Sequence, residues 1–337
     1  MRSPLPEGAG DFATSAPAIV RVFRGEVVES AHRVHVAAVD SEGRLQAFAG
    51  DPRRVTFTRS CAKPFQALPL LSTGALERSG SSDRELAIAC GSHGGEPAHV
   101  ETVRAWLARL DLDEAALGCG RHAPLTRSAA RVVGADYGSL HHNCSGKHAG
   151  MLAVARTLGE PPESYLDPSS ATQACVVEAV AREAGVPKDA IRTATDGCSA
   201  PNFALPLATI GRLFARLGAA RQGDLARVRG AMLAHPEMIA GTDAFDTDLA
   251  RAFGGAVVSK VGAEGVLGIA TPRVGIALKV DDGATRARPP VALAVLEALG
   301  FAPADPKPLE RHADSALRNY AGNVVGRLDV ELAMRRV

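Results

Sequence analysis

Two hydrophobic rhythms occupy different parts of the chain, and their segregation most constrains the fold. From Val20 to Phe48 apolar and polar residues alternate, with many valines: Arg21-Val-Phe-Arg-Gly-Glu-Val, His32-Arg-Val-His-Val-Ala-Ala-Val and Gly43-Arg-Leu-Gln-Ala-Phe. A period of two, broken at Gly25 and at Asp40-Ser-Glu-Gly43, predicts consecutive antiparallel strands joined by turns. From Ser60 to about His235 the period lengthens to that of a helix. The candidate helices are Ser60–Leu76, Ser82–Ala89, Ala98–Leu110, Gly146–Leu158, Ser169–Gly185, Ala204–Leu217 and Leu225–His235. Ser81-Ser-Asp-Arg-Glu85 and Asp167-Pro-Ser-Ser170 supply helix starts. Strand character returns over Val257–Val280. A helix over Pro289–Leu299 and a strand over Asn323–Val330 follow. The order predicts an α+β fold: one antiparallel sheet built from N- and C-terminal strands, with the helical middle packed against it. It does not predict alternating βαβ units.

A length of 337 residues suits one large domain or two intimately packed ones. The expectation is one α+β domain over residues 18–337, with its helical subregion at about 60–235. Met1–Pro17 reads as a loose tail, without the apolar core of a signal peptide. No apolar run is long enough to span a membrane. The formal net charge is +1, and no basic tract or aromatic platform suits nucleic acid. These features predict a cytoplasmic protein with a small neutral or zwitterionic substrate. Six cysteines without a secretion signal read as reduced thiols. No dinucleotide fingerprint, P-loop or internal repeat is present.

Only six lysines stand among thirty-two arginines, and three of them fall in the most chemically loaded segments. A desolvated lysine can lose its proton and act as base or ligand; an arginine cannot. Lys63 closes Ser60-Cys-Ala-Lys63 at the start of an apolar helix. At that spacing serine and lysine share a face, so a neutral amine can take the hydroxyl proton. The alternative is a capping serine with a solvated lysine one turn later. Lys260-Val-Gly262 sits between two strand patterns. A Lys-x-Gly strand edge lines the pocket of serine hydrolases that carry an S-x-x-K nucleophile. The alternative is a lysine at a hairpin end.

Ala89-Cys-Gly-Ser-His-Gly-Gly-Glu96 ends a helix in a glycine-rich loop. Ser92, His93 and Glu96 suit polar recognition and proton transfer there, unless the loop is only a helix cap. His141-His-Asn-Cys-Ser-Gly-Lys-His148 and Asp196-Gly-Cys-Ser-Ala-Pro201 each place a cysteine in a polar turn before a helix. Helix starts favour thiolate, and two thiolates with a third ligand would make an open zinc site. Residue type alone nominates His148 as that ligand, with Lys147 the unusual candidate. Two unligated thiols are the other reading.

The stretches RSCAKPFQALPL, ACGSHGGE, NCSGKHAGML, DGCSAPNFALPL and SKVGAEGV together resemble the L-asparaginase II family of the rhizobial type. The resemblance implies hydrolysis of L-asparagine to L-aspartate and ammonia, a fold similar to serine β-lactamases and glutaminases, and a homodimer. It implies two serine–lysine pairs, Ser60 with Lys63 and Ser92 with Lys260. It also implies zinc held by Cys144, Lys147 and Cys198, which displaces His148 from the ligand set. Asp196 and His148 then orient the ligand turns. Ser199 stands where glycine is expected, which should alter turn flexibility and not ligation. Charge complementarity nominates Arg59 for the substrate carboxylate and Glu96 for its ammonium, with His93, Asn143 and Asp196 as further substrate-binding candidates. Glutaminase or another amidase, a non-catalytic zinc-containing amino-acid-binding protein, and a β-lactamase or peptidase are the competing functions.

Overall fold

The computed structural model describes residues 14–337. The predicted tail therefore lies mostly outside the described residues. At its end Ser15 N–H donates to Gly50 O at 3.1 Å, and Gly50 N–H donates to Ala16 O at 3.0 Å. The chain divides into two compact units. One comprises the described residues up to Thr56, Leu205–Ala219 and Asp248–Val337; the other comprises Phe57–Ala204 and Ala220–Thr247.

The first unit is built on an antiparallel sheet. Its main path runs Ala316–Arg318, Val324–Glu331, Ala18–Arg24, Val27–Val39, Gly275–Val280, Val266–Ala270, Val258–Val261. Strands from both chain ends thus share one sheet, with Val20 facing Val330 and Val22 facing Leu328. The alternation that marked them in the sequence is the alternation of burial, Val20, Val22, Val34 and Val36 being fully buried. Gly25 and Gly43 close the two hairpins at φ +54° and +93°. The helix Leu207–Ala219 packs on the three strands Val27–Val39, Val266–Ala270 and Gly275–Val280. It does so through Leu207, Ile210, Leu213, Phe214 and Leu217, an i, i+3, i+4 stripe that is fully buried.

The second unit is mainly helical. Ser145–Leu158 is its central helix, buried from Ser145 through Ala155. It packs against the helices Asp83–Ala89, Pro97–Arg109 and Ala171–Ala184.

Two expected helices are corrected. Ser60–Leu76 is not continuous: a 3-10 turn at Arg59–Ala62 leads into short helices at Lys63–Gln66, Leu68–Ser72 and Ala75–Arg78. Pro64 and Pro69 lack the N–H that a continuous ladder needs, and Gly74 turns left-handed at φ +73°. The helix expected from Ala204 starts at Leu207, because Pro201–Pro206 is a strand paired with Arg192–Thr195. No helix among the described residues is long and apolar enough to cross a membrane.

Candidate active site

Every nominated residue except Lys260 belongs to the second unit. The approach to Ser60 is fixed from below by Asn202. Its buried Oδ1 accepts from Thr58 Oγ1 at 3.3 Å, Arg59 N–H at 3.0 Å and Phe203 N–H at 2.9 Å. Arg59 itself is held at φ +48°, a conformation that costs a non-glycine residue about 1–2 kcal/mol. Its guanidinium grips Asp196 Oδ1 through Nε and Nη2, each at 2.9 Å. Asp196 Oδ1 also accepts Gly197 N–H at 2.8 Å. The strained residue is therefore pinned at backbone and side chain, and the Ser60 turn is tied to the turn that carries Cys198.

Lys63 is 1 % exposed. Its amine lies 2.6 Å from Gly91 O, 3.0 Å from Asn143 O and 3.0 Å from Ser92 Oγ; Ser60 is not among these partners. Carbonyl oxygens only accept. Two of the amine's N–H groups therefore go to Gly91 O and Asn143 O, and its third position faces Ser92 Oγ. Lys63 thus touches the second serine of the sequence reading, 29 residues on.

The loop after Asp83–Ala89 is held by the segment that returns at Met238–Ile239. Ser92 N–H donates to Ile239 O at 2.7 Å. A Cβ on Gly91 would lie 2.5 Å from Met238 O, so only glycine fits there. His93 is fully buried; its Nδ1 accepts Gly95 N–H at 3.2 Å and its Nε2 meets Ser145 Oγ at 2.9 Å. Both ring nitrogens are engaged, and burial with the neighbouring cationic groups pushes its pKa well down. Glu96 receives Thr242 N–H at 3.0 Å and Thr242 Oγ1 at 2.9 Å. The glycine-rich loop is thus a packed support as well as a site margin.

Cys144, Lys147, His148 and Cys198 converge at the start of the central helix. All four are buried. Lys147 Nζ lies 3.1 Å from Cys198 Sγ, and Cys144 Sγ lies 3.6 Å from Asn143 Oδ1. A hydrogen bond from Cys198 draws the Cys144 pKa well down against burial, with Lys63 and Lys147 adding to it. Burial opposes the charge on Lys147, but the Cys198 and Cys144 sulfurs outweigh it and raise its pKa. Gly146 lets this helix start meet its neighbour, since a Cβ there would lie 2.6 Å from Ile88 O. Among the described residues no three His, Cys, Asp or Glu side chains form a metal-binding group. A metal here would need a nitrogen donor such as the Lys147 amine.

Lys260 lies in the first unit, on the strand Val258–Val261, fully buried, its amine donating to Val261 O at 2.8 Å. Sequence reading missed Asn202 and Tyr165. Tyr165 Oη bonds His148 Nδ1 at 2.6 Å. Asn202 sits in the recognised DGCSAPN stretch, but its partners Thr58 and Arg59 are more than a hundred positions away, and no local pattern announces them.

The fold is thus of the mixed helix and antiparallel-sheet class, with a buried lysine joining a serine to two backbone carbonyls. The chain belongs to the L-asparaginase II family, whose model matches residues 20–330. Comparison with curated proteins yields no match. Among solved structures the chain is similar to Mglu in its native form, with 17% identity, a TM-score of 0.44, and coverage of 79% of this chain and 64% of that one. For Mglu in its L-glutamate binding form at 4.3 M NaCl the identity is 16%, the TM-score 0.45, and the coverages 80% and 61%. The chain therefore spans less than two thirds of these Mglu chains, and likeness at this level carries no argument about the site.

Proposed function

We propose that this protein is an amidohydrolase that converts L-asparagine and water to L-aspartate and ammonia through an acyl-enzyme on a serine activated by Lys63. The supporting observation is the Lys63 amine, buried three residues after Ser60 and held against two carbonyls and the Ser92 hydroxyl. Ser60, half-buried at a helix start, is the attacking serine. Its Oγ bonds to the side-chain amide carbon while its proton passes to the Lys63 amine. Backbone N–H groups at the helix start face the oxyanion, a contribution of about 3 kcal/mol per donor. The proton returns to the leaving nitrogen, ammonia departs, and water hydrolyses the aspartyl ester.

The contact at 3.0 Å between Lys63 and Ser92 Oγ favours a second reading, in which Ser92 carries the acyl group. Trapping the intermediate with asparagine and locating it by mass spectrometry separates the two. Ser60→Ala and Ser92→Ala each remove one candidate. Near-normal turnover by both would sink the covalent scheme. Lys260→Met tests the role that the resemblance gives Lys260.

Zinc is part of the proposal. Two sulfurs, one with its pKa drawn down, and an amine 3.1 Å from Cys198 Sγ are a donor set suited to it. Cys144, Lys147 and Cys198 would hold it, with Lys147 losing its proton on binding. When bound it supplies a Lewis acid that can fix an amide or carboxylate oxygen. Asp196, already paired with Arg59, steadies the Cys198 turn. The deciding assay is ammonia release from asparagine and from glutamine, each with and without a chelator. Faster turnover of glutamine would move the assignment to a glutaminase. Amino-acid and zinc binding without ammonia would make the protein a binding protein. The proposed setting is the cytoplasm and the proposed assembly a homodimer, the latter checked by sedimentation.

A further inference from the structure

His148 follows Lys147 directly at the start of the central helix, and imidazole is the commoner metal ligand. The arrangement around its ring explains why it stands aside. Tyr165 Oη accepts Gly118 N–H at 2.7 Å and lies 2.6 Å from His148 Nδ1. The tyrosine is 3 % exposed, and no other acceptor for its proton is seen among the described residues. A buried phenol must place that proton, so Oη–H donates to Nδ1. Nδ1 is then the unprotonated nitrogen, and the ring hydrogen sits on Nε2.

The position of the hydroxyl is built in. A Cβ on Gly118 would lie 3.0 Å from Tyr165 Oη and 2.6 Å from Leu166 Cδ1, so a side chain there would displace it. Gln173 Nε2 donates to Tyr165 O at 2.7 Å and anchors the backbone behind the ring. The two rings meet edge to face, with centroids 5.5 Å apart. Nε2 is buried and lacks a hydrogen-bond partner of good geometry.

We propose that Tyr165 is a positioning residue: it occupies Nδ1 and locks His148 in the Nε2–H tautomer, so that neither ring nitrogen offers a free lone pair and Lys147 is left as the nitrogen ligand. An imidazole with its proton on Nε2 and its Nδ1 lone pair held by a phenol has none to offer a metal. The second half of this inference rests on the zinc reading above; the tautomer does not.

The first test is histidine nitrogen-15 NMR on the wild-type, metal-free protein at neutral pH. The ring is uncharged there, burial having lowered its pKa to about 4. The expected spectrum shows His148 Nε2 protonated and Nδ1 as acceptor. A protonated Nδ1 overturns the proposal. The second test is Tyr165→Phe, which keeps the ring and removes the hydroxyl. Its His148 signals should shift towards a mixture of tautomers. Its zinc affinity, measured by competition with a chromophoric chelator, should fall about 10- to 100-fold. An unchanged tautomer or unchanged affinity overturns the positioning role. Failure of the wild-type protein to bind zinc would defeat the zinc reading and the ligand half of this inference, while the NMR result still decides the tautomer.

Discussion

In the proposed mechanism the chemistry rests on one buried side chain, Lys63. Its amine has three neighbours, two of which can only accept. Arginine at this position keeps its charge at any working pH. Lys63→Arg should therefore lower kcat by about 10²- to 10⁴-fold, the usual worth of a positioned base. KM should change far less, and steady-state kinetics on asparagine with thermal melts as a folding control check this. Ser199 is a smaller case. The sequence showed serine where glycine was expected, and the structure shows why glycine would suit: φ is +69° in the turn before Pro201. Relief of the left-handed strain, about 1–2 kcal/mol, is partly offset by the extra freedom of glycine when unfolded, about 0.5–1 kcal/mol. Ser199→Gly should stabilise the protein by about 0.5 kcal/mol, read as a higher urea midpoint, and should leave the proposed zinc ligands in place.

At the scale of elements, the helix Asp83–Ala89 carries its own start signal. Ser82 N–H and Ser82 Oγ donate to Glu85 Oε2 at 2.9 and 2.6 Å, and Arg109 Nη2 donates to Glu85 Oε1 at 2.5 Å. Burial alone would raise the Glu85 pKa, but the Ser82 and Arg109 hydrogen bonds outweigh it and lower it. A carboxylate with a lowered folded-state pKa stabilises the protein above its unfolded value, about 4.3. That contribution is lost as pH falls through the folded value. Glu85→Gln should cost about 1 kcal/mol at pH 7, and the gap from wild type should narrow below about pH 4. Urea titrations at several pH values check it; a gap that stays constant with pH rejects the carboxylate account. This capping pattern was legible in Ser81-Ser-Asp-Arg-Glu85 because caps are local. The strand Arg192–Thr195 was not, since all four residues are exposed and show no alternation. The Ser60–Leu76 region misled for the opposite reason. Its apolar spacing is helical, and the breaks come from Pro64, Pro69 and Gly74.

For the whole molecule, the sheet was legible from both ends because alternation survives without knowledge of partners. The site was legible as a set of segments and not as a set of contacts. Lys63 with Ser92, and Arg59 with Asp196, are pairings made only by the tertiary fold. The same dependence governs how far the second unit can be dissected. Residues 57–204 contain every nominated residue but Lys260, yet the loop carrying Ser92 is held from residues 237–242. Ile239 O receives Ser92 N–H at 2.7 Å, Glu237 O lies 2.8 Å from His99 Nε2, and Thr242 donates twice to Glu96. The helix Gly223–Ala234 also packs on Asp83–Ala89. Extending the fragment to residue 247 does not solve the problem, because it adds Leu207–Ala219, whose apolar stripe belongs to the first unit. A fragment of residues 57–204 should therefore lack a cooperative urea transition by circular dichroism. Joining 57–204 to 220–247 through a flexible linker should restore one, with an m-value in proportion to the surface recovered. A cooperative transition in the shorter fragment would show that the Ser92 loop stands without the returning segment. Gly91→Ala, which drives a methyl group towards Met238 O, should then be tolerated; the expectation is that it destabilises the linked fragment and the full chain alike.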